Sequence, residues 1–202
     1  MNETTPAPNK QAPTRSGPVL LPTNIPTSVR GYMYEEELYW LFHAAWITRL
    51  QGVKGNLLEI GSFEGLSACA LAQAGHLTCV DNWDYVLGTV DSRHSFDAFT
   101  ENMRMMRLDK KVKPILGDSR QKLPELAATG VKFRLIFVDG AHDFETAASD
   151  IKWSWEMLSP GGLLVIDDYC GWPDVMRACE VVDVKTLVGA TGKMAVKAKE
   201  FK

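Results

Sequence analysis

From residue 35 onward the chain alternates between two hydrophobic rhythms. Leu38, Leu41, Phe42, Ala45 and Trp46 recur at helical spacing over residues 35–50, and the glycine-bounded segment 52–55 breaks that helix. Residues 56–62, NLLEIGS, then predict a first strand, followed by a turn at Phe63, Glu64 and Gly65. A helix of small residues carrying Leu66, Cys69, Ala70 and Ala74 comes next. Residues 77–80 predict a second strand ending in Asp81, Asn82 and Trp83. Phe96, Phe99, Met103 and Met106 mark another helix, and 112–116 a third strand that runs into Gly117, Asp118 and Ser119. Residues 120–128 read as a further helix.

The clearest unit spans residues 133–169. Its apolar runs at 134–138 and 162–166 are continuous rather than alternating, as expected for strands buried on both faces of a parallel sheet. Between them Phe144, Ala147, Ala148, Ile151, Trp155 and Leu158 fall at helical spacing, and Pro160, Gly161 and Gly162 are expected to end that helix. A helical crossover makes the two strands parallel, which brings their carboxyl ends to one edge. Both end in acid: Asp139 on one, Asp167 and Asp168 on the other. His142 follows Asp139 by three residues. Beyond this unit, 173–181 predicts a helix, and 184–190 with 193–199 a terminal strand pair around Thr191 and Gly192. The pattern predicts a doubly wound, Rossmann-like α/β fold: a mostly parallel seven-stranded sheet with an antiparallel C-terminal strand. Such sheets bind ligands beyond the carboxyl ends of their strands, at the topological switch point.

The 202 residues, 46% hydrophobic, suit one domain with a sizeable core. Residues 1–27, rich in Pro, Thr, Asn and Lys, read as a flexible tail, and 28–202 as a single domain whose segment 28–55 forms a helical lid region. With 22 basic against 25 acidic residues, neither nucleic acid nor an anionic membrane is indicated as a partner. No run approaches a membrane span and no signal-peptide core is visible, so a cytoplasmic location is expected. Cys69, Cys79, Cys170 and Cys179 form no CxxC pair and read as reduced thiols.

Gly61 and Gly65 flank a turn between a strand and a helix start, where backbone N–H groups can meet a ligand closely. Asp81 ends the next strand, at the distance where an acid meets ribose hydroxyls in a nucleotide-binding βαβ unit. The glycine spacing departs from G-x-G-x-x-G, and Glu59 and Glu64 add acid to the turn. Acid there is unfavourable beside a pyrophosphate but compatible with the sulfonium and ammonium of S-adenosylmethionine.

EIGSFEGLS, VDNW, the GDS after the third strand, FVDGAHDFETAASDI and PGGLLVIDDY occur here in order. Together they resemble the class I S-adenosylmethionine-dependent methyltransferases. The likeness is closest to the small class-24 group and to the metal-dependent O-methyltransferases of the macrolide-sugar and catechol kinds. The resemblance implies that Gly61, Ser62 and Gly65 contact the methionine part of the cofactor and that Asp81, followed by Asn82 and Trp83, holds the ribose side. It puts Asp118 and Ser119 near the adenine, with Glu59 acting indirectly on the turn. It also implies that Asp139, Asp167 and Asp168 hold a divalent ion. Carboxylate oxygens without cysteine select Mg²⁺ or Mn²⁺. Members of the catechol kind carry an amide where Asp168 stands, and a basic residue three positions after the first ligand, where this chain has His142. The expected reaction is Mg²⁺-dependent O-methylation of a small sugar, polyol or aromatic diol, with His142 as general base. A metal-independent methyltransferase, and a hydroxylase-like or non-catalytic binding relative of the same fold, are the alternatives. Asp118 also has the sequence of an ordinary helix N-cap. Oligomeric state is left open, with a homodimer among the options.

Overall fold

A computed structural model of the chain describes residues 25–84, 93–181, 188–189 and 194–201. Helix α1 (Glu35–Leu50) opens the fold, and the Glu37 carboxylate accepts the Tyr34 N–H at its start. Then come β1 (Asn56–Ile60), α2 (Leu66–Ala74), β2 (Leu77–Asp81), α3 (Arg93–Met105), β3 (Val112–Leu116), α4 (Ser119–Ala128), β4 (Phe133–Val138) and α5 (Phe144–Met157). β5 (Leu158–Ile166), α6 (Pro173–Val181), β6 (Val188–Gly189) and β7 (Ala195–Ala198) complete the order. The strands pair in the order β3-β2-β1-β4-β5-β7-β6. β1 to β5 run parallel, whereas β7 is antiparallel to both β5 and β6.

Period-two alternation divides the core between the two faces of this sheet. Leu57, Cys79, Leu135 and Phe137 pack with Leu41, Ala45 and Leu71 on one face. Leu58, Val80, Ile136 and Val138 pack with Leu123, Ile151 and Ala178 on the other. Both faces are covered, which is why the central runs read as continuous rather than alternating. β3, the outermost strand on its side, keeps Lys113, Pro114 and Leu116 exposed. Charge and proline on an edge strand discourage further pairing.

β1 is flanked by β2 on one side and β4 on the other, so the chain reverses its direction of winding between them. The crevice beyond β1 and β4 is therefore where a ligand is expected. One buried cation ties this centre together. The Arg134 guanidinium on β4, 5% exposed, donates to the Gly55 carbonyl at 3.0 Å and to the Ala74 carbonyl, at the end of α2, at 3.1 Å. Capping a helix C-terminus with a cation satisfies orphan carbonyls and complements the helix dipole.

Three features differ from the sequence expectation. Helix α5 ends at Met157, before Pro160, Gly161 and Gly162, and these three lie within β5. The reason is pairing: Leu158 already aligns with Phe133, Gly161 N–H donates to the Lys199 carbonyl at 2.8 Å, and Gly161 takes a positive φ of 77° that only this irregularity demands. Second, Ile25, inside the expected tail, packs on the core; the remainder of that tail, residues 1–24, lies outside the described residues. Third, the described part of the strand expected over 184–190 is β6 alone. No helix among the described residues is long and apolar enough to cross a membrane.

Candidate active site

The turn after β1 is built on positive-φ backbone. Gly61 at φ 81° and Gly65 at φ 93° supply two such positions, and Phe63 at φ 45° is a third without the freedom of glycine. A single carboxylate holds the turn in place. Asp81 Oδ2 accepts the Ser62 N–H at 2.6 Å and the Phe63 N–H at 2.8 Å, while Oδ1 accepts the Trp83 N–H at 2.7 Å. Beneath it Glu59, fully buried, accepts from the Ser62 hydroxyl at 2.6 Å and from the Cys79 thiol at 3.4 Å. Burial pushes the Glu59 carboxyl up to about 7, against the lowering effect of these donors.

The parallel strands deliver the acids to the same edge. Asp139 N–H donates to the Ile60 carbonyl at 2.8 Å, which joins the end of β4 to the end of β1. Asp139, His142 and Asp168 offer ligand atoms that all lie within 4.8 Å of one another. His142 Nε2 stands 2.8 Å from Asp168 Oδ2, and the imidazole stacks on the Trp172 indole, with centroids 4.6 Å apart and planes 8° from parallel. Asp168 reaches this position through a positive φ of 57°. Of the four non-glycine residues with positive φ among the described residues, Phe63 and Asp168 line the cavity, while Trp83 and Arg107 do not.

Asp167 does not join that group. It continues β5, its N–H donating to the Val138 carbonyl at 2.9 Å, and its side chain is 2% exposed beside Ala147, Ile151 and Val175. β5 ends at Ile166, and the left-handed backbone of Asp168 at φ 57° turns its carboxylate into the cavity while Asp167 stays beneath the sheet edge. His142 stands with Asp139 and Asp168 as the third member of the group with ligand spacing.

Both ends meet in one cavity of about 860 Å³. Gly61, Ser62, Asp81, Asn82, Asp118, Ser119, Asp139, His142 and Asp168 line it. Glu59, Gly65, Trp83 and Asp167 do not. Gly65 N-caps α2 against Phe99 and Met103. Trp83 is 3% exposed and packs on Phe96 and Phe99, its indole N–H donating to the Phe63 carbonyl at 2.7 Å. It braces the turn from the core, a direction that sequence could not supply. Glu64 is also turned away, buried and paired with Arg30 through the Nε donor at 2.8 Å and through Nη2. Asp118 caps α4, accepting the Arg120 N–H at 2.9 Å, and the Arg120 guanidinium holds its carboxyl below the usual range.

Sequence reasoning missed several contributors. Arg30, Gly31 and Met33 bring the segment before α1 into the cavity wall beside Tyr32, whereas Tyr34 is exposed away from it and Trp40 packs on the core. Asp150 on α5 is fully buried against Gly140, with its carboxyl pushed up to about 7 by burial. Only the helical spacing from Phe144 would have flagged it as an inward-facing acid. Residues 85–92, between β2 and α3, lie outside the described residues.

Comparison with known proteins agrees with this geometry. A family described as "Methyltransferase domain", of class 24, matches residues 58–169, from β1 to just past the acid pair. Comparison with curated protein sequences finds no match. Among solved structures the chain is similar to the O-methyltransferase NovP, with 18% identity and a TM-score of 0.68 over 82% of this chain and 80% of that one. It is also similar to TomG from Streptomyces achromogenes, an O-methyltransferase of tomaymycin synthesis solved with S-adenosylmethionine, with 20% identity and a TM-score of 0.62 over 83% and 82%. A third likeness is an O-methyltransferase from Bacillus cereus in complex with SAH, with 17% identity and a TM-score of 0.61 over 87% and 84%. With more than half of its length matched by the family and the motifs at the edge that the sheet prescribes, the chain belongs to the class-24 methyltransferase family, of the class I S-adenosylmethionine-dependent fold.

Proposed function

We propose that the protein transfers the methyl group of S-adenosylmethionine to a hydroxyl of a small molecule. The observation that carries this reading is the convergence in one cavity of the Asp81-braced turn with Asp139, His142 and Asp168. In this reading Gly61 and Ser62 would meet the methionine part, Asp81 and Asn82 the ribose, and Asp118 with Ser119 the adenine; all six line the cavity. The cofactor supplies a methyl group activated by its sulfonium.

His142 takes the proton of the acceptor hydroxyl, and Asp168, 2.8 Å from Nε2, stabilises the imidazolium that results. The hydroxyl oxygen gains the methyl carbon as the carbon–sulfur bond breaks. Positive charge would leave sulfur on transfer, so the only new cation is the His142 imidazolium, which Asp168 faces. Most of the gain comes from holding donor and acceptor in line and from excluding water. The donor set at the acidic edge also fits a hard divalent ion: Asp139 and Asp168 offer carboxylate oxygens at ligand spacing, with His142 beside them. Mg²⁺ held there would supply Lewis acidity that lowers the pKa of an acceptor hydroxyl. Transfer without a metal is the second reading, favoured by the His142–Asp168 contact, which already pairs a base with its counter-charge.

Calorimetric titration of S-adenosylmethionine into metal-stripped protein, repeated with Mg²⁺ and with Asp81→Ala, tests the cofactor assignment. Micromolar binding that weakens at least tenfold in the variant is expected. No binding under either condition removes the assignment. Turnover that needs Mg²⁺ separates the first reading from the second.

A further inference from the structure

Resting on the reading above, we infer that the Arg30–Glu64 ion pair latches a strap, residues 30–33, over the cofactor end of the cavity, and that this latch sets how fast S-adenosylmethionine and S-adenosylhomocysteine exchange. Three successive residues of the strap each meet the turn after β1. Arg30 forks onto Glu64, Gly31 lies against Leu66, and Tyr32 faces Phe63 with ring centroids 6.0 Å apart. All three partners fall within residues 63–66, from the turn to the first residue of α2. Arg30, Gly31, Tyr32 and Met33 also line the cavity, opposite the backbone of Gly61 and Ser62 in its wall. The strap thus forms one side of the space that the turn offers to a ligand, and a ligand held there is enclosed between the two.

The strap is anchored at both ends and held lightly between them. Before it, Val29 is buried and Ile25 packs on the core; after it, α1 buries Leu38, Leu41 and Phe42. Residues 30–33 themselves form no helix or strand, and Arg30, Gly31 and Tyr32 are exposed. So short a segment can open locally without disturbing the sheet. What opposes opening is Glu64. Its side chain is 4% exposed against 50% for Arg30, and its Oε2 accepts the Arg30 Nε donor at 2.8 Å. Its backbone carbonyl accepts from Asn102 Nδ2 on α3 at 2.8 Å, so Glu64 stays with the core when the strap moves. Lifting the strap leaves a buried carboxylate without the guanidinium that faces it, which disfavours the open state. The two-pronged contact fixes direction as well as distance. Gly31 adds fit, since a Cβ there would stand 2.6 Å from Leu66 Cβ and hold the strap off α2. The acid in the turn therefore acts through Arg30, and not through the charge of the cofactor.

Surface plasmon resonance on the immobilised full chain, with S-adenosylmethionine and S-adenosylhomocysteine as probes, tests this without turnover. Glu64→Gln and Arg30→Gln are each expected to raise the dissociation rate about tenfold and to raise the association rate as well, because an unlatched strap speeds both entry and exit. The equilibrium constant then shifts less than the dissociation rate. Arg30→Lys keeps the charge without the fork and should fall between. Raising salt from about 0.05 M to about 0.5 M should speed S-adenosylhomocysteine dissociation from the unmodified protein roughly threefold and leave both glutamine variants unmoved. Arg30 is half exposed, so Arg30→Gln decides the matter by itself where Glu64→Gln fails to fold. Unchanged rates overturn the inference, and so does faster dissociation with unchanged or slower association, which marks a turn that has merely loosened. In both cases binding by the unmodified protein leaves the methyltransferase reading standing. Failure of the unmodified protein to bind either probe overturns that reading, and the inference with it.

Discussion

Gly61 and Asp139 touch backbone to backbone: a Cβ at position 61 would overlap the Asp139 carbonyl oxygen, and Gly61 sits at φ 81°. The turn expected to meet the cofactor and the strand end that starts the acidic edge are thereby one rigid junction. Gly61→Ala should destabilise the protein by about 3 kcal/mol or more, since a left-handed backbone and a backbone overlap are imposed together. Chemical denaturation would show it, and an unchanged midpoint would mean that β1 and β4 can part without cost.

Asp81 is expected to act first through the turn. Asp81→Asn replaces one charged acceptor by an amide that cannot serve the Ser62, Phe63 and Trp83 N–H groups together. Hydrogen bonds to a charged group contribute roughly 1.5–3 kcal/mol each, so cofactor affinity should fall by about tenfold or more as the turn loosens. Calorimetry measures this directly, and unaltered affinity would detach Asp81 from the site.

His142→Gln should lower kcat by about 10²–10⁴ while leaving the binding of S-adenosylmethionine within a factor of two or so, because a base acts on the acceptor rather than on the cofactor. Asp168→Asn should follow in the same direction through its contact with Nε2. Single-turnover rates with saturating cofactor distinguish the two effects. Full activity in His142→Gln would assign the proton transfer elsewhere.

Stability should decline as pH rises through weakly acidic values. Glu59 is raised by burial from 4.5 to about 7, and Asp150 from 3.8 to about 7. Between the unfolded and folded values the native state holds protons that the unfolded chain has released, so unfolding free energy falls as pH climbs from about 4 to 7 and levels above it. Glu59→Gln should reduce that slope, and adding Asp150→Asn should flatten it, as read from denaturation midpoints at pH 5 and 7.5. A slope untouched by both changes would show that other groups carry it.

Arg134→Met should cost about 2–4 kcal/mol, since the buried Ala74 carbonyl and the Gly55 carbonyl lose their donor. Per folded molecule, methyl transfer should be unaffected, because Arg134 lies remote from the cavity wall. Thermal unfolding and specific activity of the soluble fraction check the two halves separately.

The sequence by itself determined the order of strands and helices, the parallel central sheet, and the positions at which Gly61, Asp81, Asp118, Asp139 and Asp168 leave their strands or start their helices. These follow from periodicity and from chain connectivity, which act locally. Only the tertiary structure decided where side chains point once the strands end. Asp167 and Asp168 are adjacent, yet one stays buried beneath the sheet edge and a positive φ lifts the other to His142. Trp83 follows the cofactor acid in sequence but packs in the core, Glu64 is neutralised by Arg30 from 34 positions away, and Trp172 meets His142 across a loop. Such pairings depend on which elements the sheet brings together, and no local pattern records them.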